Sequence, residues 1–470
     1  MAGLLNIGLT GINSAQANLL ATSHNITNAN TPGFSRQRVL QSTNEPQFTG
    51  AGFFGQGSRV DAVRRQYDAF LNQQVLNTSA RKEEYSTYSA AISQVDNLLG
   101  DESAGLSSAM ADFFRGVNDV ANNPSSVPAR QALISTANSL AGRFGALDNR
   151  LIEIRDANEG QIVSVVTEIN SFARQIADLN QRIGEVQVAG PNVQANDLLD
   201  QRDNLVAELN KLIKVSTTAE SDGSLSVFMG SGQALVVGSS ATNLKVDYPS
   251  LTDPLRGQVF LTTPGGDVLI PDSVLQGGEL GGLIAFRNQT LDSARDQLGE
   301  IAKSLSATFN TQHLLGVDLN GAAGGNFFAD LTAVSARDAA GAFAVLVTDP
   351  ATIAASSTTI PGVGNNGNAL ALAALQTTKV MNSGTATFQS AYSQLVSSVG
   401  NKAREVQIAE AAQDVQLEQA IAARESVSGV NLDEEAANLI RFQQAYQAAA
   451  RVMGVAGTLF EEVLGVARAG

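Results

Sequence analysis

The segment LNIGLTGINSAQANLLATSHNITNANTPGFSRQ, residues 5–37, joins a long helical pattern to an abrupt stop. Its apolar residues recur every seven positions, and Leu9 and Ala15 fill neighbouring positions. The repeat consists of Leu5, Ile12, Leu19 and Ile26. Such a repeat is typical of a helix that packs along a second helix as a coiled coil. The first helix therefore needs a partner.

A second repeat of the same length lies near the other end of the sequence. It consists of Leu432, Leu439, Tyr446, Met453 and Phe460. Three positions beyond four of these residues lie Phe442, Ala449, Ala456 and Val463. Small residues in such a row allow close helix approach, because the distance between packed helices depends on the side chains at the contact. We expect the two ends to pair as a coiled coil, and two ordinary amphipathic surface helices are the alternative.

The stop after the first helix has the residues of a defined turn. Thr31 precedes a proline and is therefore disfavoured in the α region, and Pro32 and Gly33 suit the central positions of a type II turn. The turn cluster consists of Asn25, Asn28, Thr31, Pro32, Gly33 and Phe34. We expect Phe34 to pack on a neighbouring element and Arg36 and Arg38 to face outward.

A third apolar repeat predicts a long central helix. Its members are Leu133, Leu140, Leu147 and Ile154, then, after one extra residue, Ile162, Ile169, Ile176 and Ile183. Pro128 suits a first helical turn, and Gly190–Pro191 would end the helix. About 58 residues at ~1.5 Å each give a rod of roughly 87 Å. Further helices are predicted over 61–99, 106–121, 196–214, 283–315, 367–425 and 431–467.

The pattern changes to short antiparallel strands over 215–282. Leu225 and Val227 alternate with polar residues, and Asp222–Gly223 and Pro264–Gly265–Gly266 are turn signals. A second irregular insert, 316–366, predicts one or two strands. The fold class is thus mainly α with an inserted antiparallel β domain on an elongated helical-bundle rod.

The domain prediction has three parts. We expect a terminal coiled-coil domain from 1–40 and 426–470, and a rod from 41–214 and 283–425. The β domain occupies 215–282.

Charge and composition exclude several classes of partner. The net charge of −15 disfavours nucleic acid and acidic lipid, and no apolar run approaches the roughly 18 residues of a membrane span. Cysteine is absent, so disulfides and thiolate chemistry are excluded. The pairs Arg64–Arg65 and Arg81–Lys82 predict ordinary charge on a helix surface. The first residues lack the pattern of a secretory signal, so we expect export, if any, without signal-peptide removal.

Catalytic and cofactor motifs find little support. GVGNNG, residues 362–367, fits the dinucleotide pattern, but a proline precedes it and no acidic residue follows about twenty positions later. His24 and His313 are the only imidazoles and lie far apart in sequence. Glu434–Glu435 and Glu461–Glu462 could be paired carboxylates. The simpler interpretations are a helix start with Asn431 as N-cap for the first pair and a solvated face for the second. We predict no catalytic, cofactor or metal site, and no enzyme.

Several longer motifs carry a family resemblance. SHNITNANTPGFSRQ and the stretch SGVNLDEEAANLIRFQQAYQAAARVMGVAGTLFEEVL resemble the terminal signatures of the axial proteins of the bacterial flagellum. GFSRQRV, LLDQRDNLVAELNKLIKV, FNTQHLLGVDLNGAAGGNFF and SGVNLDEE resemble, more narrowly, the hook-associated family at the junction of hook and filament. The resemblance spans nearly the whole chain. Longer family members carry a further β domain where 316–366 lies here.

The resemblance implies a structural subunit of the flagellum. Family members are exported unfolded through the flagellar type III apparatus and form a ring at the hook tip. Implied partners are further copies of the chain, the hook protein, the second junction protein and an export chaperone on the C-terminal segment. The implied location is extracellular. The alternatives are another axial protein (the second junction protein or a hook subunit) and, more distantly, a secreted adhesin or an enzyme built on a helical rod.

Overall fold

The structure is a computed structural model. It describes residues 2–48, 50, 52–101, 105–188, 194–230, 232–251, 253, 255–357, 362 and 364–469. The predicted helix end at Gly190–Pro191 lies outside them.

Helices form most of the described chain. They are α1 Ala2–Asn28, α2 Ala69–Gly100, α3 Leu106–Asn122, α4 Val127–Gln187, α5 Asn196–Leu212, α6 Gly278–Phe286, α7 Asp292–Leu314, α8 Ala336–Ala339, α9 Gly367–Ala374, α10 Phe388–Ser428 and α11 Leu432–Ala469. A π-helical turn, Arg287–Leu291, joins α6 to α7, and 3₁₀ turns occupy Asp272–Val274 and Pro350–Thr352.

Short antiparallel strands accompany the helices. They are β1 Gln37–Thr43, β2 Gln47–Phe48, β3 Phe53–Phe54, β4 Ser58–Arg65, β5 Val215–Ala219, β6 Leu225–Met229, β7 Gln233–Val237, β8 Ser240–Ala241, β9 Leu244–Asp247, β10 Gln258–Thr263, β11 Gly266–Leu269, β12 Gly316–Val317 and β13 Ser356–Ser357. β5–β8 form one sheet in sequence order, and a second sheet has the order β11-β10-β9. The expectation of a mainly α fold with small antiparallel sheets is confirmed.

Three predicted helices differ from the observed ones. The helix predicted over 61–99 begins only at Ala69, because Ser58–Arg65 pairs with β1 as a strand. The helix predicted over 283–315 contains the π-helical turn. The helix predicted over 367–425 is two helices, and the N-cap of the second is Thr387, whose side chain forms a reciprocal capping box with that of Ser390.

The long helix α4 is the axis of the rod. Ser126 caps its first turn by accepting a hydrogen bond from the Ala129 amide at 3.3 Å, and proline follows in the first turn as predicted. The apolar repeat of its first half packs in a core with α2, α3, α7 and α10. The repeat of its second half packs in another core with α5, α6 and the sheets.

The strands of 215–269 share the second core with the helices. Val227, Leu235 and Val236 are fully buried in the cluster that contains the second half of α4. Asn180 of α4 donates to the Leu225 and Gly238 carbonyls and accepts from the Leu225 amide. The sheets therefore stabilise half of α4, and we expect that excising them would leave this half of α4 exposed.

Ion pairs separate the two cores along α4. The guanidinium of Arg287, in the π-helical turn, is buried and donates to Glu159 of α4 at 3.0 Å, to the Gly257 carbonyl at 2.9 Å and to Asp272 at 3.1 Å. Buried charges are tolerated when they are paired in this way.

The end of α7 fastens the irregular segment 316–357. Asn310 donates to the Phe328 carbonyl and accepts from the Phe327 and Phe328 amides. The Nδ1 of His313 donates to the Gly325 carbonyl at 2.7 Å, and its Nε2 accepts from the Ala354 amide at 2.9 Å. In the motif FNTQHLLG, the side chains of Asn310 and His313 therefore hold the irregular segment against the end of α7.

The His313 contacts predict a pH dependence of stability. Burial lowers the pKa of His313, and its Nε2 can accept the Ala354 amide only while the ring is neutral. The folded chain therefore binds fewer protons than the unfolded chain below the unfolded pKa of ~6.5, so stability is complete above that pH and falls as pH decreases. We expect a slope approaching 1.4 kcal/mol per pH unit, measured by urea unfolding between about pH 7.5 and 5.5.

Two single variants isolate this histidine. His313→Leu should flatten the slope, and His24→Asn, which removes the other imidazole at the surface, should retain it. An unchanged slope in His313→Leu would show that other groups cause the pH dependence.

Candidate assembly site

The two terminal helices pack along each other in antiparallel directions. A Cβ atom added at Gly8 of α1 would lie 2.8 Å from Cγ of Met453, and one added at Gly11 would lie 3.2 Å from Cβ of Ala449. Further along, the Nδ2 of Asn25 lies 3.3 Å from a carboxylate oxygen of Glu435. The residue numbers of partners thus fall on α11 as they rise on α1.

Glycine and small polar residues form the buried face of α1. This face consists of Gly8, Ser14, Ala15, Asn18, Thr22 and Asn25. The predicted repeat lies beside it: Leu5, Ile12 and Leu19 are half-buried, and Ile26 is exposed. Knobs-into-holes packing of a coiled coil remains a prediction.

On α11, the contact with α1 involves only part of the predicted repeat. Ala456 is buried, and Leu439, Phe442, Ala449 and Met453 are half-buried. The exposed members are Leu432, Tyr446, Phe460 and Val463. The paired helices therefore leave a row of large apolar side chains uncovered, as a surface that awaits further copies or partners does.

Close approach of these helices predicts a strong effect of a larger residue at Gly8. Gly8→Leu should force α1 away from Met453 and cost about 1–3 kcal/mol, although leucine favours a helix more than glycine does. The measurement is limited proteolysis of the terminal helices together with thermal unfolding. Gly454→Ala on α11 is the matched control, because nothing lies within 4 Å of its added Cβ and alanine should stabilise the helix slightly. Equal protection in both variants would contradict the close contact.

The turn after α1 directs the chain into β1. Asn25 donates to the Gln37 carbonyl at 2.9 Å and accepts from the Gln37 amide at 2.8 Å, so one side chain fixes the start of the strand. The Phe34 amide donates to the Thr31 carbonyl, and Gly33 has φ = +77°, which suits the third position of a type II turn.

Side-chain contacts tie the rest of the turn cluster to α1. The hydroxyl of Thr31 donates to the Asn28 side chain at 3.2 Å. The Phe34 ring stands edge-on to His24, with 5.3 Å between the ring centroids.

Arg36 joins this turn to the start of α11. Its guanidinium donates to Glu435 at 2.8 Å and to Glu434 at 2.9 Å, and its amide donates to the Ser428 carbonyl. Hydrogen bonding to Glu434 raises the pKa of Arg36 and lowers that of Glu434. The expectation that Arg36 faces outward is therefore wrong. Asn431 caps α11 as predicted, because its side chain accepts hydrogen bonds from the amides of Asp433 and Glu434.

Helix α5 also contacts the turn after α1, through the carboxylates of its first two turns. Asp200 accepts from the Ser35 amide at 3.0 Å and from Arg65 at 2.9 Å, and Asp203 accepts from Arg65 at 2.6 Å. Asp197 accepts from the Gln37 side chain at 2.9 Å. The motif LLDQRD is thus a docking surface for the turn and β4.

Arg65 corrects one sequence prediction. It is not ordinary surface charge on a helix, because it lies on a strand with its guanidinium between two carboxylates of α5. Nothing in the local pattern of LLDQRD identifies β4 as the partner of its carboxylates.

The structure joins the turn cluster to both ends of the chain and to the rod. Among the described residues, no group of three or more His, Cys, Asp or Glu side chains could hold a metal ion. Nor does any helix within the described ranges have the length and apolarity needed to cross a bilayer.

The two ends of the chain pair with each other, ion pairs hold them to the helical rod, and rows of apolar side chains remain uncovered. These features are typical of a structural subunit of a larger assembly. Comparison with known proteins specifies the assembly. Residues 92–328 match the flagellar hook-associated protein FlgK helical domain, and residues 424–466 match the flagellar basal body rod FlgEFG protein C-terminal family.

Relatives that match over nearly the whole chain agree with these matches. The chain is 32% identical to flagellar hook-associated protein 1 of Escherichia coli K12 and 33% identical to that of Salmonella typhimurium LT2, covering 99% of this chain and 100% of each relative. It is 29% identical to that of Bacillus subtilis 168, with 96% of both chains covered. The chain belongs to the flagellar hook-associated protein 1 family.

A solved structure supports the fold. The flagellar hook junction protein FlgK from Burkholderia pseudomallei aligns with a TM-score of 0.68 and 24% identity, covering 76% of this chain and 100% of that one. The E. coli alignment spans 550 positions although this chain has 470 residues, so that relative carries residues that this chain lacks.

Proposed function

We propose that the protein is a structural subunit of the bacterial flagellum that forms the junction between hook and filament. The observation that carries this proposal is the row of exposed apolar residues on the paired terminal helices, in a chain of the hook-associated protein 1 family. An apolar row of this length on a surface is typical of a face that is covered in an assembly. The role is mechanical and requires no catalytic group, metal or cofactor.

The proposed partners follow from this location. Copies of the chain form a ring, which contacts the hook protein on one side and the second junction protein on the other. The protein reaches this extracellular position through the flagellar type III apparatus.

An export chaperone is proposed to cover the C-terminal segment 426–470 before assembly. The side chains of Leu432, Tyr446 and Phe460 are exposed and would otherwise favour aggregation. A groove that takes apolar anchors at helical spacing is the common way to cover such a helix. Capture of the isolated segment by the chaperone, lost in a Tyr446→Ala, Phe460→Ala double variant, tests this partner.

We also propose the domain organisation expected from the sequence. The terminal coiled-coil domain combines 1–40 with 426–470, and the rod combines 41–214 with 283–425. The β domain is 215–282. Contacts between β1 and α1, and between the sheets and α4, make these units interdependent in stability.

A deletion strain tests the proposed function. Cells without the gene should keep hooks of normal length, lack filaments and release filament subunits into the medium. Expression of the chain from a plasmid should restore filaments, counted by electron microscopy. Filaments of normal number in the deletion strain would exclude a junction role.

A further inference from the structure

Helix α11 extends beyond Ala2, the first described residue of α1. Because Gly8 lies opposite Met453 and Gly11 opposite Ala449, the start of α1 at Ala2 falls opposite residues near 458–459. The part of α11 from 459 to 468, the overhang, lies beyond the described residues of α1. Every one of its side chains is exposed.

The overhang combines carboxylates with large apolar side chains. Glu461 and Glu462 are adjacent, and no ion pair in the described part of the chain includes either. Around them lie the exposed apolar residues Leu459, Phe460, Val463, Leu464 and Val466. An overhang with this composition would be covered by a surface that is both basic and apolar.

A mostly polar cleft that contains arginines and a few apolar side chains lies at the other end of the same helix pair. It has a volume of about 580 Å³ between α1, β1 and the start of α11, and Arg38, Gln41, Asn438, Arg441 and Phe442 are among its lining residues. Phe442 is half-buried, and the guanidinium of Arg441 stands 4.8 Å from its ring centroid.

The cleft has an excess of positive charge, because three arginines and two glutamates are among its lining residues. Glu434 and Glu435 bind Arg36, but no carboxylate among the described residues lies within ion-pair distance of Arg38, Arg64 or Arg441. Arg38 and Arg64 are moreover direct cross-strand neighbours on β1 and β4. Like charges at such positions are destabilising, which favours a contact that supplies negative charge.

One chain cannot join its own overhang to its own cleft. Arg441 and Glu461 lie on the same straight helix, and twenty residues at ~1.5 Å each separate them by about 30 Å. Only a second copy can bring the two surfaces together. Contacts between two different surfaces of identical chains repeat from copy to copy and build rings or helical stacks.

We propose that the overhang of α11 docks in the cleft of the next copy, with Glu461 and Glu462 paired to Arg38 and Arg441 and the apolar residues packed on Phe442 and Leu40. The terminal helix pair is thus a unit with complementary ends, which joins copies of this chain head to tail. This inference rests on the proposed function, because it places the contact in the assembled junction.

Cysteine cross-linking tests the contact directly, since the natural chain has no cysteine. Gln41→Cys in the cleft and Val463→Cys in the overhang are introduced into one chain, which replaces the natural one in cells. Hook particles are isolated, oxidised and separated on a non-reducing gel. We expect a ladder of dimers, trimers and higher products of this chain, and only monomer from each single-cysteine variant.

Specific outcomes would overturn the proposal. Cross-linking of Gln41→Cys to Asp414→Cys on α10, or to another flagellar protein, would assign the cleft to a different occupant. Presence of the double variant in the particles without a ladder would exclude the contact but leave the junction role intact. Absence of the natural chain from the particles would exclude both.

Charge reversal provides the second arm. Glu461→Arg with Glu462→Arg, and separately Arg38→Glu with Arg441→Glu, should each reduce filament number about tenfold or more, because like charges then face each other. The chain with all four changes should recover filaments to within about threefold of the natural chain. Failure to recover, in variants with unchanged thermal unfolding, would contradict the pairing.

Discussion

Replacing Glu435 by alanine should release the start of α11 from the turn after α1, at a cost of about 1.5–3 kcal/mol. The carboxylate is 1% exposed and accepts hydrogen bonds from Arg36 and Asn25, which hold the two ends of the chain together. Its removal leaves the Arg36 guanidinium with only the exposed carboxylate of Glu434, and the Asn25 side chain with only the Gln37 carbonyl as acceptor. Limited proteolysis should then cut within 426–470 long before the rod, and denaturant unfolding should show an early phase.

We call the contact of Arg36 with Glu434 and Glu435 the clasp. Two further variants distinguish the loss of the clasp from a general loss of stability of α11. Glu434→Ala removes the exposed partner of the same arginine and should cost much less, since exposed ion pairs contribute little to stability. Arg36→Met with Glu435→Leu replaces the pair by apolar groups of similar volume and should recover most of the loss. Equal sensitivity of Glu434→Ala and Glu435→Ala would show that burial does not determine the strength of the clasp.

Replacing Phe309 by alanine should cost about 3–5 kcal/mol by opening a cavity in the first core. Its ring is fully buried, with centroids 5.0 Å from Phe327, 5.2 Å from Phe113 and 5.4 Å from Phe328. These rings belong to α7, α3 and the irregular segment, so one side chain connects three parts of the rod. The expected result is a lower urea midpoint with an unchanged slope.

The control for the cavity is a phenylalanine outside the core. Phe54 on β3 is 58% exposed, and Phe54→Ala should change stability by less than about 0.5 kcal/mol. A similar loss in both variants would indicate a general effect of aromatic content rather than a cavity.

Helices, caps and turns were predictable where a local signal specifies them. The repeat from Leu133 to Ile183 predicted α4, because one face buried over many turns requires that spacing. Pro32–Gly33 and Asp222–Gly223 predicted turns, and both glycines have positive φ. The family was identifiable from sequence motifs. In the structure, residues of these motifs form the clasp and hold the irregular segment 316–357 at the end of α7.

The position of the site depended on contacts that no local pattern encodes. The repeat of α1 gives a period, but Gly8, Ala15 and Thr22 on the buried face lie three positions after Leu5, Ile12 and Leu19, because close packing against α11 selects small residues. The helix predicted over 61–99 includes the last residues of β4, because the pairing of β4 with β1 is a tertiary contact that local patterns do not encode.

Local sequence patterns were enough to predict the long helices, the turn after the first helix, the apolar rows at both ends and the family. The contacts of Arg36 with Glu435 and of Arg65 with α5 could be seen only in the folded chain. The physical reason is that propensity and periodicity act between neighbours in sequence. A clasp between residues almost four hundred positions apart depends on the packing of every element between them.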